Sequence, residues 1–334
     1  MTYNKIKELF IAKEKQPYLV ILGAGATIAA IPDGDKNGKK SAVMNGFLKK
    51  LGLDYLLKGV EIEYEGDNIE NIYFELYGKH EYYKVVQGVE QAIINYFSDM
   101  KLPDNLTIYD YLVVALTKKD CIATFNWDPL LLEAYNRMKK ITNDLPQLLF
   151  LHGNVAVGFC EECKRFGPLQ NISCPKCHKP FKMPKILFPV KNKNYNCDIF
   201  IKEQWNEFDW YCQHAGLITF FGYSAPITDE EAINRILKTY HSINRRLDSI
   251  EIIDIKSNNS DFQDTWTPFY KSTNGHVNYY KTFWESILAE YPRNESEGYV
   301  NRFLRGNFNG SEISLEPNMN LDSLKERLNP LLCN

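Results

Sequence analysis

Pro17-Tyr18-Leu19-Val20-Ile21-Leu22-Gly23-Ala24-Gly25-Ala26-Thr27 decides the fold. Tyr18 to Leu22 is an uninterrupted apolar run, the pattern of a strand buried on both faces. It breaks into two glycines one residue apart, followed by residues suited to a helix start. A strand running through such a turn into a helix is the opening unit of a parallel α/β sheet. There, backbone N–H groups and a helix N-terminus can approach a pyrophosphate, and glycine keeps a β-carbon out of the way. The third glycine of the usual dinucleotide fingerprint is missing, and no acidic residue follows at the expected spacing. By itself the turn is equally well read as a tight strand-to-helix connection without a ligand.

Further along, similar apolar runs recur: CIATFN at 121–126, QLLFLHGN at 147–154, GLITFFGYS at 216–224 and SIEIIDIK at 249–256. Alternating with helical patterns, these five predict an α/β, Rossmann-like parallel sheet with helices on both faces. Residues 1–44, 106–154 and 191–292 would make the main domain. Residues 45–105 read as a helical insertion and 155–190 as a cysteine-bearing one, together a smaller lobe over the sheet's C-terminal edge. Residues 293–334 form a tail, either irregular or carrying a short helix near 320–328 that docks on the body or on another subunit.

The chain of 334 residues is 44% hydrophobic and 24% charged, ordinary values for a protein with a real core. A net charge of −3 gives no reason to expect bulk nucleic-acid or membrane binding. No apolar stretch is long enough to span a bilayer and the N-terminus has no cleavable signal pattern, so a soluble cytoplasmic protein is expected. Of eight cysteines, Cys160, Cys163, Cys174 and Cys177 are clustered as two C-x2-C pairs, the spacing of a four-thiolate structural zinc site. His178 reads as a bystander. Cys121, Cys197, Cys212 and Cys333 are scattered.

Polar residues collect where the strands end. Thr124-Phe125-Asn126-Trp127-Asp128 closes one run and Leu151-His152-Gly153-Asn154 the next. Alone, Asn126 or Asp128 could cap the following helix and His152 could be a buried structural histidine. Their shared position at strand C-termini directs them to one crevice. Gly222-Tyr223-Ser224 ends a third run, where a serine can meet a phosphate or ribose hydroxyl, or cap a helix.

The order of these motifs resembles the sirtuin superfamily over residues 17–256. A Gly-Ala-Gly turn, Pro32-Asp33, Thr-x-Asn-x-Asp, His-Gly, two C-x2-C pairs and Gly-x-Ser follow in sequence. The resemblance implies NAD as substrate, with Gly23, Ala24, Gly25 and Thr27 at the pyrophosphate and Pro32 and Asp33 in the cofactor loop. Asn126 would sit by the nicotinamide ribose, Asp128 at the carboxamide, and His152 would be the general base. Gly222, Ser224 and Asp254 would face the adenosine half; Asp254 stands where the family commonly has asparagine.

Two departures matter. Protein deacylases follow Pro-Asp with Phe-Arg, whose aromatic shields the reacting ribose; here Gly34-Asp35-Lys36-Asn37-Gly38-Lys39-Lys40 follows. In the deacylases' peptide-docking segment stands Leu187-Phe188-Pro189-Val190-Lys191-Asn192, whose proline cannot donate to a docking strand. The chain is most similar to the sirtuin-like NAD-hydrolysing effectors of bacterial anti-phage systems. That resemblance implies glycohydrolysis, a homo-oligomer, and a phage-sensing partner such as a HerA-type ring ATPase. NAD-dependent deacylation, or NAD or ADP-ribose sensing without turnover, are the rival readings. The lysines at 36–40 could meet an extra phosphate, or form a solvated loop.

Overall fold

The computed structural model describes residues 8–332 apart from 9–10, 13, 42–44, 62–66, 170–172, 189–194, 196–197, 226–228, 243–247, 271–275 and 308–309. Pro189, Val190, Lys191, Asn192, Cys197 and Cys333 lie outside the described residues.

Six strands form one parallel sheet: β1 (Tyr18–Leu22), β2 (Cys121–Thr124), β3 (Gln147–Phe150), β6 (Leu217–Phe221), β7 (Ser249–Ile253) and β8 (His276–Tyr280). Between β3 and β6, β4 (Val157–Cys160) and β5 (Arg165–Pro168) make a separate antiparallel ribbon. The spatial order of the large sheet is β3-β2-β1-β6-β7-β8. Counted without the ribbon this is 3-2-1-4-5-6, the order of dinucleotide-binding doubly wound sheets. The chain reverses direction across the sheet between β1 and β6, and the crevice at such a switch point opens at the strands' C-terminal ends.

Every residue of β1, β2, β6 and β7 is buried, as parallel strands covered on both faces must be. Helices α1 (Ala24–Ala30), α2 (Ile69–Leu76), α3 (Tyr83–Ser98), α4 (Ile108–Val114), α5 (Leu130–Met138), α6 (Ile199–His214), α7 (Glu230–Tyr240) and α8 (Leu321–Leu332) supply much of the cover. Helix α6 packs on β1, β3 and α7, while α4 packs on α1 and α5. In α3 the buried Val86, Val89, Ile93 and Phe97 lie on one helical stripe. Described residues of the stretch from Phe47 to Leu102, and Leu315, Leu324 and Leu328 of the tail, belong to the sheet's core, the last two fully buried; Phe181 packs with the four cysteines in a small core of its own.

The sheet has one strand more than the five apolar runs predicted. Among the described residues β8 pairs only with β7, and Val277 to Tyr280 are half-buried. An edge strand with one pairing partner needs no continuous apolar run, so HVNYY carried no strong signal.

A buried polar cluster ties the chain's last third to the sheet. The Glu251 carboxylate accepts hydrogen bonds from Tyr18 Oη at 3.1 Å, Thr219 Oγ1 at 3.4 Å, the Ile287 amide at 3.1 Å and Arg302 at 3.4 Å. Arg302 also pairs with Glu290 at 2.6 Å and donates to Tyr280 Oη at 2.9 Å. Burial pushes the Glu251 carboxyl upward, against the Arg302 charge and its hydrogen-bond donors. Removing one partner strands the other in a low dielectric, so Arg302→Ala is expected to cost about 3 kcal/mol of unfolding free energy in urea titrations. Lys36→Ala breaks the exposed pair with Asp104 and is expected to cost less than about 1 kcal/mol.

Candidate functional site

The turn after β1 is built by backbone contact with the end of β6. The Gly23 amide donates to the Phe221 carbonyl at 3.0 Å and that of Gly25 to Gly222 O at 2.9 Å. A β-carbon on Gly23 would stand 2.5 Å from Gly222 O, and one on Gly25 2.7 Å from Gly222 Cα. Gly222 has φ +60°, and its own β-carbon would meet the Ala26 nitrogen at 2.1 Å. The sequence left a path for a ligand and a tight strand-to-helix connection both open for these glycines; here they let two turns interlock. Their amides are spent on neighbouring carbonyls, and Ala26 donates to Gly23 O at 3.0 Å. Ala24, first in α1, keeps an amide that the helix itself cannot satisfy.

Behind this turn lies a buried hydrogen-bond cluster. Thr27 Oγ1 donates to Asp128 Oδ2 at 2.8 Å and stands 2.7 Å from Tyr109 Oη. Asn126 Nδ2 donates to Gly23 O at 2.9 Å, Thr27 Oγ1 at 3.0 Å and Tyr109 Oη at 3.2 Å. Asp128 Oδ1 accepts from the Leu130 amide at 3.1 Å, so the carboxylate also caps α5. Asn154 Nδ2 donates to the Asp128 carbonyl at 2.6 Å, and Val155 N to Trp127 O at 2.9 Å, lacing the segments after β2 and β3 together. Burial raises the Asp128 carboxyl from the ordinary 3.8 to about 6, opposed by the Thr27 and Leu130 donors.

His152 is 5% exposed. Its ring stands edge-on to Phe125 at 4.7 Å and parallel to Tyr195 at 6.1 Å. The strand beneath it is fixed by α6, where Trp205 donates to Leu151 O at 3.0 Å and Gln204 Oε1 accepts from the Phe150 amide at 2.9 Å. Phe125 in turn stacks face to face on Tyr223 at 4.7 Å and 12°. The ends of β2 and β6 are thus bridged over the turn of β1.

All of this surrounds one cavity of about 660 Å³. It is lined by Gly23, Ala24, Gly25, Thr27, Pro32, Asn126, Asp128, His152, Gly222, Ser224 and Asp254, eleven of the twelve residues that sequence directed to a substrate. Asp33 is the exception: it is exposed and outside the lining. The neighbouring Asp35 is the buried acid of that loop, accepting from the amides of Asn37, Lys39 and Lys101 at 2.7–2.9 Å. Of the nearby lysines, Lys36 pairs with Asp104 and Lys39 with Asp99, while Lys40 donates to the carbonyl of the cavity-lining Pro32.

Sequence reading missed Tyr109, whose hydroxyl joins the cluster, and Glu70, Lys256 and Lys281, which line the cavity. Tyr109 and Glu70 sit in helical stretches without a motif, and Lys281 follows the unrecognised strand. Only Lys256 lay beside a marked position.

In the ribbon, the four sulfur atoms of Cys160, Cys163, Cys174 and Cys177 lie within 4.8 Å of one another. Tetrahedral zinc with Zn–S of about 2.3 Å sets sulfurs about 3.8 Å apart, and Cys160 Sγ and Cys177 Sγ are 3.5 Å apart. The donor set fits a closed structural zinc site, and His178 is not part of the group.

No family model and no curated protein matches the chain. Among solved structures it is similar to one described as the structural basis for the mechanism and regulation of Sir2 enzymes, at 15% identity over 92% of this chain and 100% of that one, TM-score 0.41. A Sir2 homologue mutant bound to ADP-ribose matches at 14% identity over 89% and 98%, TM-score 0.41. A structure described as the structural basis of sirtuin substrate affinity matches at 15% over 92% and 100%, TM-score 0.39. At such identities and scores these likenesses say nothing of what this chain binds.

Two outcomes follow from this geometry. Metal analysis of the purified protein is expected to find about one zinc per chain, lost in Cys174→Ser together with the ribbon's protection from proteolysis. The carboxyl carbon of Asp128 is expected to titrate near 6 in carbon-13 NMR. Because its pKa is raised on folding, the carboxyl's contribution to stability is full below 3.8 and is lost as pH rises through about 6. That contribution is on the order of 3 kcal/mol, so the unfolding midpoint of Asp128→Asn is expected to show a weaker pH dependence between those values.

Proposed function

We propose that this chain is a sirtuin-superfamily NAD glycohydrolase, cleaving NAD with water to nicotinamide and ADP-ribose. The observation that carries the reading is the convergence of Asn126, Asp128 and His152 on one cavity, beside a glycine turn at the switch point of a 3-2-1-4-5-6 sheet. At about 4.8 Å per strand, the edge from β3 to β8 spans about 24 Å, enough for an extended dinucleotide.

In this reading Asp128 holds the carboxamide of the leaving nicotinamide, and Asn126 accepts a hydrogen bond from the attacking water. The bond between the ribose C1′ and the nicotinamide nitrogen breaks, its electron pair leaving with nicotinamide. The water oxygen bonds to C1′, and its proton passes to His152 and then to solvent. NAD+ and water therefore yield nicotinamide, ADP-ribose and one proton. The absence of Phe-Arg after Pro32-Asp33 supports water over an acyl-lysine peptide as nucleophile.

The wider role we propose is that of an anti-phage effector that starves the infected cell of NAD. Activity would be switched by homo-oligomer assembly or by a phage-sensing partner, a HerA-type ring ATPase being one. Neither a nucleic acid nor a membrane is needed.

Incubating purified protein with NAD alone and following free nicotinamide by chromatography tests the reaction. Release without any peptide is expected, with His152→Ala and Asn126→Ala each slower by about 100- to 10,000-fold. Release that appears only when an acetylated peptide is added would overturn glycohydrolysis in favour of deacylation.

A further inference from the structure

We infer that Tyr109 is a positioning residue whose hydroxyl proton completes a one-way order of hydrogen bonds in the Thr27–Asn126–Asp128 cluster, in which Asn126 can only accept from a ligand. Counting protons assigns each donor. Thr27 has one hydroxyl proton, and it goes to Asp128 Oδ2. The short contact between Thr27 Oγ1 and Tyr109 Oη therefore uses the tyrosine's proton, with threonine accepting. Tyr109 Oη then has lone pairs to offer and no proton, which suits the Asn126 amide group 3.2 Å away.

The orientation of Asn126 is set independently. Gly23 O is a carbonyl and can only accept, so the Asn126 atom 2.9 Å from it must be the NH2 nitrogen. With three protein acceptors around it, that nitrogen has no proton left for a ligand. The carbonyl oxygen Oδ1 is the end that remains for the cavity, which Asn126 lines. A group bound there must be a donor, a water or a hydroxyl, and not the carbonyl of an amide or ester. The polarity runs Tyr109 to Thr27 to Asp128 and terminates on a carboxylate, whose other oxygen is already committed to the Leu130 amide. Glu133, one turn into α5, is the other acidic group felt by Asp128. Tyr109 itself is fully buried on α4 and outside the cavity lining, so it acts through its neighbours.

The inference deepens the glycohydrolase reading, and its kinetic arm rests on that reading, whereas its titration arm does not. Tyr109→Phe removes the hydroxyl and keeps the ring. Without that donor Thr27 is less polarised, and the Asp128 titration followed by carbon-13 NMR is expected to move up by about 0.1–0.3 unit, the roughly 10–30% that polarisation by one neighbour adds to a net hydrogen bond. Thr27→Val, which removes the direct donor, is expected to move it further in the same direction. Nicotinamide release from NAD by Tyr109→Phe is expected to fall about 10-fold in kcat, with KM within about two-fold.

Tyr111→Phe serves as the control for loss of a buried tyrosine hydroxyl. It lies on the same helix, but among the described residues its hydroxyl bonds only to the Met319 backbone. Both readouts are expected to stay at wild-type values there. An Asp128 titration unmoved in Tyr109→Phe would overturn the inference whatever the enzyme does. Wild-type protein that binds but never cleaves NAD would instead remove the hydrolase reading and leave the titration to decide this one.

Discussion

Backbone contact between the turn after β1 and the end of β6 is the constraint on which the site depends. Three glycines meet there so closely that a β-carbon on any of them would overlap a neighbouring main-chain atom. The same contact consumes the amides of Gly23 and Gly25 and fixes where Gly23 O points. Asn126 is oriented by that carbonyl, and Thr27, one helical turn further on, is carried into reach of Asp128 and Tyr109. An enlargement of any of these glycines would act less by blocking the cavity than by separating the two halves of the sheet that form it.

A second contact spans the same seam. Phe125 follows β2 and Tyr223 follows β6, yet their rings stack across the intervening turn, with His152 edge-on to Phe125. Stacked and edge-on aromatic pairs add about 0.5–1.5 kcal/mol each beyond their burial, so the wall that positions the histidine also clamps the switch point. Glu251 plays the corresponding part below, collecting donors from β1, β6 and the segment after β8. That segment returns to the site: Lys281, Thr282, Phe283 and Trp284 line the cavity, and Trp284 packs edge-on against Tyr111 of α4 at 5.0 Å.

What could be read from sequence was what repeats locally. Apolar runs ending in small or polar residues marked five strands, and spacing marked the cysteine cluster. The residues that meet the cavity from unpatterned chain were not legible. Tyr109 looks like any aromatic in an amphipathic helix until its hydroxyl is seen between Thr27 and Asn126. Glu70 enters because Asn68 starts α2 at the cavity wall, accepting from the Glu70 amide at 2.9 Å. Asp33 and Asp35 show the limit of motif matching: the motif marked one acid, and the fold buried the other, because loop amides needed an acceptor there. The glycines were legible as positions with two causes open, since a close approach to another turn and a close approach to a ligand leave the same mark on a sequence.

Asp128 shows why a structural and a functional reading of one residue need not compete. As a helix start, α5 needs an acceptor for its first amides, and Asp128 Oδ1 supplies one to Leu130. As part of the cavity wall, the same carboxylate accepts the Thr27 hydroxyl's hydrogen bond on its other oxygen. Burial alone would favour the neutral acid, and the two donors oppose it, leaving the carboxyl near 6. If α5 began elsewhere the amide of Leu130 would be absent and the opposition to burial weaker. The placement of a helix start at the end of β2 is therefore what lets a carboxylate remain charged in a largely apolar wall. Capping and site chemistry here are two consequences of one position.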